Sequence, residues 1–286
     1  TVAGDVDYAA FLDSGTIMVA STSTVSHITK KTSTSTEWVK GRLHKVDLDG
    51  YKAFDFNMIY RAYCVIEQDI SELEPKRVAC WGYNDKGQLG NPDATTENYY
   101  YGSRLTVPLS LAEGETPEKL FSFGLNAIGV VTSLGRIKWW GRDFFDNSIG
   151  YGMAGEDPVS PFMQYETGDD IFVKQASMGE WGVCGIRLED DKLVCWGTRL
   201  ESNNNNNNYF QLHPNDDYSP NVNVAISRTL QLPTTYDILP KYVSLGNFHT
   251  CIIRLDDERV YCWGNNRRSQ TGVYPWSYRV DYDPNR

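Results

Sequence analysis

Four Trp-Gly pairs recur along this chain, and they constrain its fold more than any other feature. They are Trp81-Gly82, Trp140-Gly141, Trp196-Gly197 and Trp263-Gly264, spaced 59, 56 and 67 residues apart. Cys directly precedes three of them, at Cys80, Cys195 and Cys262, and Trp139 takes that place in the fourth. The likeness extends upstream. Ser244–Asn266 reads SLGNFHTCIIRLDDERVYCWGNN, Ser177–Arg199 reads SMGEWGVCGIRLEDDKLVCWGTR, and the cysteine-free Ser122–Asp143 reads SFGLNAIGVVTSLGRIKWWGRD. A worn copy, DYAAFLDSGTIMVAS, lies at Asp7–Ser21, and a copy with a longer loop runs from Cys64 to Gly82. One Trp beside a turn is ordinary core. Related units at a roughly regular spacing form a repeat architecture, in which neighbours must cover each other's apolar faces.

Each unit reads as a β-hairpin. Ile252, Ile253 and Leu255 precede an acidic turn at Asp256-Asp257, with Val260 and Tyr261 after it. Ile186, Leu188, Leu193 and Val194 flank Glu189-Asp190 in the same way. These are strand formers around turn formers, and no stretch of 3.6-residue periodicity competes. The 18 Tyr, 8 Trp and 24 Gly agree with strands and turns, and a hydrophobic share of 41% supplies a sizeable core.

These residues resemble the regulator-of-chromosome-condensation repeat. Gly246, His249, Thr250, Cys251 and Cys262 through Asn265 match its pattern, as does CWGYNDKGQLG from Cys80 to Gly90. Decayed tails appear as Ser269–Gly272 and Ser148–Gly152. The resemblance implies an all-β fold, a β-propeller of four-stranded blades with the Trp residues between blades. The family usually has seven blades of about 50 residues, whereas five repeats are recognisable here. A smaller ring and part of a larger one both stay open. Residues 1–286 are read as a single propeller domain with insertions at about 21–56, 142–172 and 198–241. The first holds a Ser/Thr-rich run at Ser21–Trp38, and the last holds six consecutive Asn, Asn203–Asn208.

Six cysteines fall into three local pairs. Cys251 and Cys262 stand symmetrically about Asp256-Asp257, and Cys184 and Cys195 about Glu189-Asp190. In an antiparallel hairpin such residues face each other within disulfide reach. Cys64 and Cys80 fit one blade with a longer loop. Where the pair is missing, both members are missing together, as Ile128 and Trp139. The expected bridges are therefore Cys64–Cys80, Cys184–Cys195 and Cys251–Cys262, and paired cysteines point to an oxidising, extracellular or cell-surface setting. Cysteine-paired versions of the repeat resemble those of secreted bacterial propellers and crinkly-type plant receptor ectodomains. The chain opens at Thr1, so a removed leader and a fragment of a longer protein remain alternatives.

Function is bounded mostly by exclusion. A net charge of −10 disfavours nucleic acid and anionic lipid, and no apolar run approaches the ~18 residues of a membrane span. No nucleophile elbow, phosphate loop or dinucleotide fingerprint is present, so neither an enzyme nor a cofactor is expected. His27, His44, His213 and His249 are scattered and no Cys-x-x-Cys knuckle occurs, which speaks against a metal. Asp47-Leu48-Asp49-Gly50 lacks the further ligands of a calcium loop. The expectation is a protein-interaction or structural module, recognising protein partners or other chains through its blade loops. A glycan- or small-ligand-binding propeller is the alternative, with Tyr99-Tyr100-Tyr101, Trp181, Tyr274, Trp276 and Tyr278 as stacking rings.

Overall fold

A computed structural model describes residues 7–11, 17–21, 44–59, 62–94, 100–123, 127–141, 170–179, 182–197, 230–231, 239–246 and 249–264. Their strands form five antiparallel sheets. The first holds β1 (Asp7–Phe11), β2 (Ile17–Ser21) and β3 (His44–Lys45). The second holds β4 (Tyr51–Ile59), β5 (Ala62–Asp69), β6 (Arg77–Tyr83) and β7 (Tyr100–Thr106). The third is β8 (Pro117–Phe123), β9 (Ala127–Thr132) and β10 (Ile137–Gly141). The fourth is β11 (Val173–Met178), β12 (Gly182–Arg187), β13 (Leu193–Gly197) and β14 (Leu230–Gln231). The fifth is β15 (Pro240–Leu245), β16 (His249–Arg254) and β17 (Val260–Gly264). Strands pair in chain order within every sheet, so each repeat is a meander. The chain divides into two compact units, residues 1–134, 138–143 and 149–161, and residues 135–137, 144–148 and 162–286.

The insertions are narrower than the sequence suggested. β3 and most of β4 lie inside 21–56, and β14 and the start of β15 lie inside 198–241. The reason is chemical. First strands such as YKAFDFNMI alternate apolar and polar residues and carry no Trp-Gly marker, so they look like linker. The middle strands of the second and third sheets look different because both their faces are covered. β5 is buried from Ala62 through Glu67 and β9 throughout, which produces near-continuous apolar runs.

Four first strands carry a bulge, at the same register position in the second, fourth and fifth sheets and one position further along in the third. The register slips between Ala53 and Asp55, Pro117 and Lys119, Val173 and Gln175, and Pro240 and Tyr242. A bulge re-aims the extra side chain. In two sheets it sends a Lys toward the turn of its own repeat: Lys174 reaches Asp191 at 2.5 Å and Lys241 reaches Glu258 at 2.5 Å.

Within each unit the core sits between neighbouring sheets. Ile17, Val46, Ala53, Tyr63, Val65, Ala79 and Trp81 join the first and second sheets. Cys64, Ile66, Val78, Cys80, Leu89 and Trp140 are among the side chains joining the second and third. In the other unit, Cys184, Ile186, Leu193 and Cys195 pack on Val243, Leu245, Ile252 and Trp263.

Candidate functional site

The cysteines define one register position. Cys64 lies opposite Cys80, Cys184 opposite Cys195 and Cys251 opposite Cys262 across the second and third strands of their repeats. All three pairs are bridged. Directly opposite residues in an antiparallel ladder bring their Cβ atoms close enough for this. Each bridge closes a short loop, with sequence separations of 16, 11 and 11, which corresponds to roughly 3 kcal/mol in the chain-entropy treatment.

The Trp positions work between sheets. Trp140 is completely buried, and its Nε1 donates to the Gln88 carbonyl at 2.9 Å. Gln88 belongs to the Gly87-Gln88-Leu89-Gly90 tail of the preceding repeat. The loop is preformed: Asn84 accepts from the Leu89 N–H at 2.9 Å and donates to the Ala94 carbonyl at 2.7 Å, while Gln88 holds Lys86 N and Asp85. Gly90 has φ +57, and a Cβ there would lie 2.5 Å from Trp140 Cδ1. So Gln-Leu-Gly forms a cradle that fits the next Trp and excludes any side chain at its rim. Trp81 is likewise completely buried, with its ring centroid 5.6 Å from that of Tyr63 and 6.2 Å from that of Phe56. Trp263 is buried against the fourth sheet. Trp196 and Gly197 lie on β13, but the Trp196 side chain is outside the described residues. Gly82, next to last in β6, and Gly141, last in β10, have φ 105° and 100°, and Gly264 ends β17.

A second set of links was not legible in the sequence. Asp55 on β4 is buried and accepts from the Leu120 N–H at 2.7 Å and from Lys119 Nζ at 2.8 Å. Two residues on, Asn57 accepts from the Ser122 hydroxyl at 2.6 Å. The fourth and fifth sheets repeat the device with other side chains. Gln175 donates to the Val243 carbonyl at 3.0 Å, and the Ser177 hydroxyl accepts from the Leu245 N–H at 2.9 Å. Asp55 and Gln175 occupy equivalent register positions, as do Asn57 and Ser177. Four residue types at two positions leave no sequence motif.

The remaining candidates are absorbed by structure. Glu67 is completely buried, and it is held by Arg77 at 2.9 Å and Arg104 at 3.0 Å. Arg104 also donates to the Asp47 and Leu48 carbonyls, which fixes the Asp47–Gly50 segment as a turn. Asp49 N donates to Asp47 Oδ1 within it at 3.0 Å. His249 lies over Gly246, whose N–H donates to the His249 carbonyl at 2.8 Å. Burial lowers the pKa of His249, because desolvation disfavours the imidazolium. The turn acids Asp257 and Glu258 are also lowered, the first mainly by the Arg259 N–H and the second mainly by its hydrogen bond with Lys241. A hollow of about 430 Å³ is lined by Asp170, Phe172, Arg187, Leu188 and Glu189. Its charges are matched internally: Arg187 pairs with Glu189 and with Asp190, and Arg136 sits 3.6 Å from Asp170. The proposed stacking rings fall outside what is described: Tyr99, Trp181, Tyr274, Trp276 and Tyr278 entirely, and Tyr100 and Tyr101 in their side chains.

Meandering sheets joined face to face by buried Trp residues define a β-propeller built from sequence repeats. Residues 241–270 match the regulator of chromosome condensation (RCC1) repeat. The fold is that of the RCC1-like propellers. Human WBSCR16 superposes with a TM-score of 0.63 at 15% identity, over 93% of this chain and 61% of that one. Prp20p from Saccharomyces cerevisiae, described with its binding to Gsp1p and histones, gives 0.62 at 17% identity over 92% and 56%. Yeast RCC1 (Prp20) with Kap60 bound gives 0.53 at 14% over 96% and 71%. This chain thus spans about three fifths of the length of the first two. No curated protein matches it by sequence.

Proposed function

We propose that this chain is an extracellular or cell-surface module that binds protein partners through the loops between its repeats, and that it does no chemistry of its own. The observation that carries this reading is what the repeated side chains are used for. Trp140, Gln88 and Gly90 fit sheet to sheet, and Asp55, Asn57, Gln175 and Ser177 tie first strands together. The framework is spent on packing, so the segments that differ between repeats are free to specify a partner, and loops are where recognition usually sits. The extracellular setting is supported by three bridged pairs, since reducing compartments keep such cysteines as thiols. Yeast Prp20, with the same fold, is described with Gsp1p, histones and Kap60, which supports protein as the partner class. A net charge of −10 argues against direct contact with nucleic acid.

Residues 198–229 and 142–169 are the segments most individual to their repeats. The experiment is a deletion of 198–229 that keeps β14, joined by a short turn, followed by cross-linking and sizing of the protein from its native source. The sheet signal in circular dichroism and all three bridges should persist while association is lost. Association that survives this deletion and one of 142–169 contradicts the proposal, as does a hydrolytic activity retained by the purified chain.

A further inference from the structure

The β5–β6 loop, residues 70–76, departs from the turns of the other cysteine-bearing repeats. The bridged cysteines on either side of it are 16 residues apart, against 11 in the fourth and fifth sheets. The second sheet is flanked on both faces inside its own unit, by the first sheet and by the third. Its β5–β6 loop therefore leaves the stack at a rim and not at an open face. The loop is held from within. Ser71 donates to the Asp69 carboxylate from both its N–H and its hydroxyl, the Glu72 N–H donates to the Asp69 carbonyl at 2.9 Å, and Gln68 donates to the Glu74 carbonyl at 3.0 Å. Its two ends are tied down where the Ile70 N–H donates to the Gly50 carbonyl at 3.0 Å and where Lys76 reaches Glu118 at 3.0 Å. A loop held in this way loses little further freedom when something docks on it.

Its tip presents side chains that the fold does not use. Ile70 is 68% and Leu73 87% exposed, the two most exposed large hydrophobic residues among those described. Among the described residues Glu72 and Glu74 have no ion-pair partner. The acids of the corresponding turns are matched, Asp191 by Lys174 in the fourth sheet and Glu258 by Lys241 in the fifth. A single exposed apolar residue is ordinary on a surface. Two on one preformed tip, beside two unmatched carboxylates, form an anchor with a charged surround. We propose that this tip docks a protein partner, with Ile70 and Leu73 entering an apolar cleft whose rim carries Lys or Arg to meet Glu72 and Glu74. Buried apolar anchors carry most of the affinity of such a contact, and the rim charges steer and select. A second copy of this chain is a poor occupant, because its net charge of −10 repels the tip. The inference rests on the reading that the loops bind protein, and deepens it by placing one contact and fixing the partner's charge.

The test uses the full chain in its native source, with photo-reactive benzoylphenylalanine in place of Leu73 or, as a control, of the exposed Glu113 between β7 and β8. Light should join position 73, and not position 113, to a partner at a segment that holds apolar residues and Lys or Arg. That partner, purified, is then titrated against variants of the full chain. The double substitution Ile70→Ser with Leu73→Ser should weaken binding at least about tenfold, with circular dichroism and all three bridges unchanged. Glu72→Gln with Glu74→Gln should slow association at low salt and leave it unaltered at high salt. Unchanged binding by the first double variant overturns the inference. So does a cross-link from position 73 that reaches only a second copy of this chain or an acidic surface, or the lack of any cross-link there in an associated chain. Association that is lost on deleting 198–229 but indifferent to the tip variants sinks this inference and leaves the proposed function standing. No association by any route sinks both.

Discussion

Trp140 shows what one residue of the repeat contributes. Its ring fills the inter-sheet core and its N–H satisfies a carbonyl of the preceding repeat. Trp140→Ala should therefore cost about 3–5 kcal/mol, the scale for a large buried aromatic. Gly90→Ala attacks the same contact from the other side, with a Cβ placed against the indole at a backbone angle that L-residues rarely adopt. It should cost about 2–4 kcal/mol through overpacking and strain. Urea melts of both variants check this, and a change within about 0.5 kcal/mol in either would mean that the cradle is not what it appears. Both partners were visible in the sequence, because Trp-Gly recurs as letters and Gly87-Gln88-Leu89-Gly90 matches the tail of the repeat pattern. His249 was visible too, but its pH behaviour was not. The unfolded chain binds its proton more readily than the folded one, since burial lowers the folded pKa from 6.5. Its contribution is complete above that value and is lost as pH falls from there toward the folded pKa. Asp257 and Glu258 act lower, with stability lost only as pH falls below their ordinary values of 3.8 and 4.5 toward the folded ones. His249→Gln should flatten the melting temperature between about pH 7 and 5, and an unchanged pH profile would exclude His249 as its source.

At the level of strands, the hairpins around the acidic turns were readable, because strand formers bracket turn formers at fixed spacing. The first strand of each repeat was not. Its positions opposite the first cysteine and two residues earlier reach the backbone of the next sheet, and Asp, Asn, Gln and Ser all satisfy that need. Chemistry is kept while letters change, so β4 passed for part of an insertion. Asp55→Ala tests the device. It strips the buried Leu120 N–H of its acceptor and releases Lys119, at an expected cost of about 2–3 kcal/mol. Asp55→Asn, which keeps an acceptor oxygen, should recover at least about half of that. Equal loss in both variants would assign the effect to charge rather than to the backbone bond.

On the scale of the whole molecule, the fold follows within each unit from covering one sheet by its neighbour, and the disulfides act inside sheets rather than between them. That division explains why cysteine pairs can be absent from the third repeat, where Ile128 and Trp139 are simply buried. It also bears on the proposed setting, since most reducing compartments keep such cysteines as thiols. The most direct measurement is peptide mapping without reduction on protein taken from its natural source and alkylated at once. Cys64–Cys80, Cys184–Cys195 and Cys251–Cys262 should be recovered as linked peptides. Links between different repeats would contradict the register of the sheets, and six free thiols in the native material would contradict the extracellular setting.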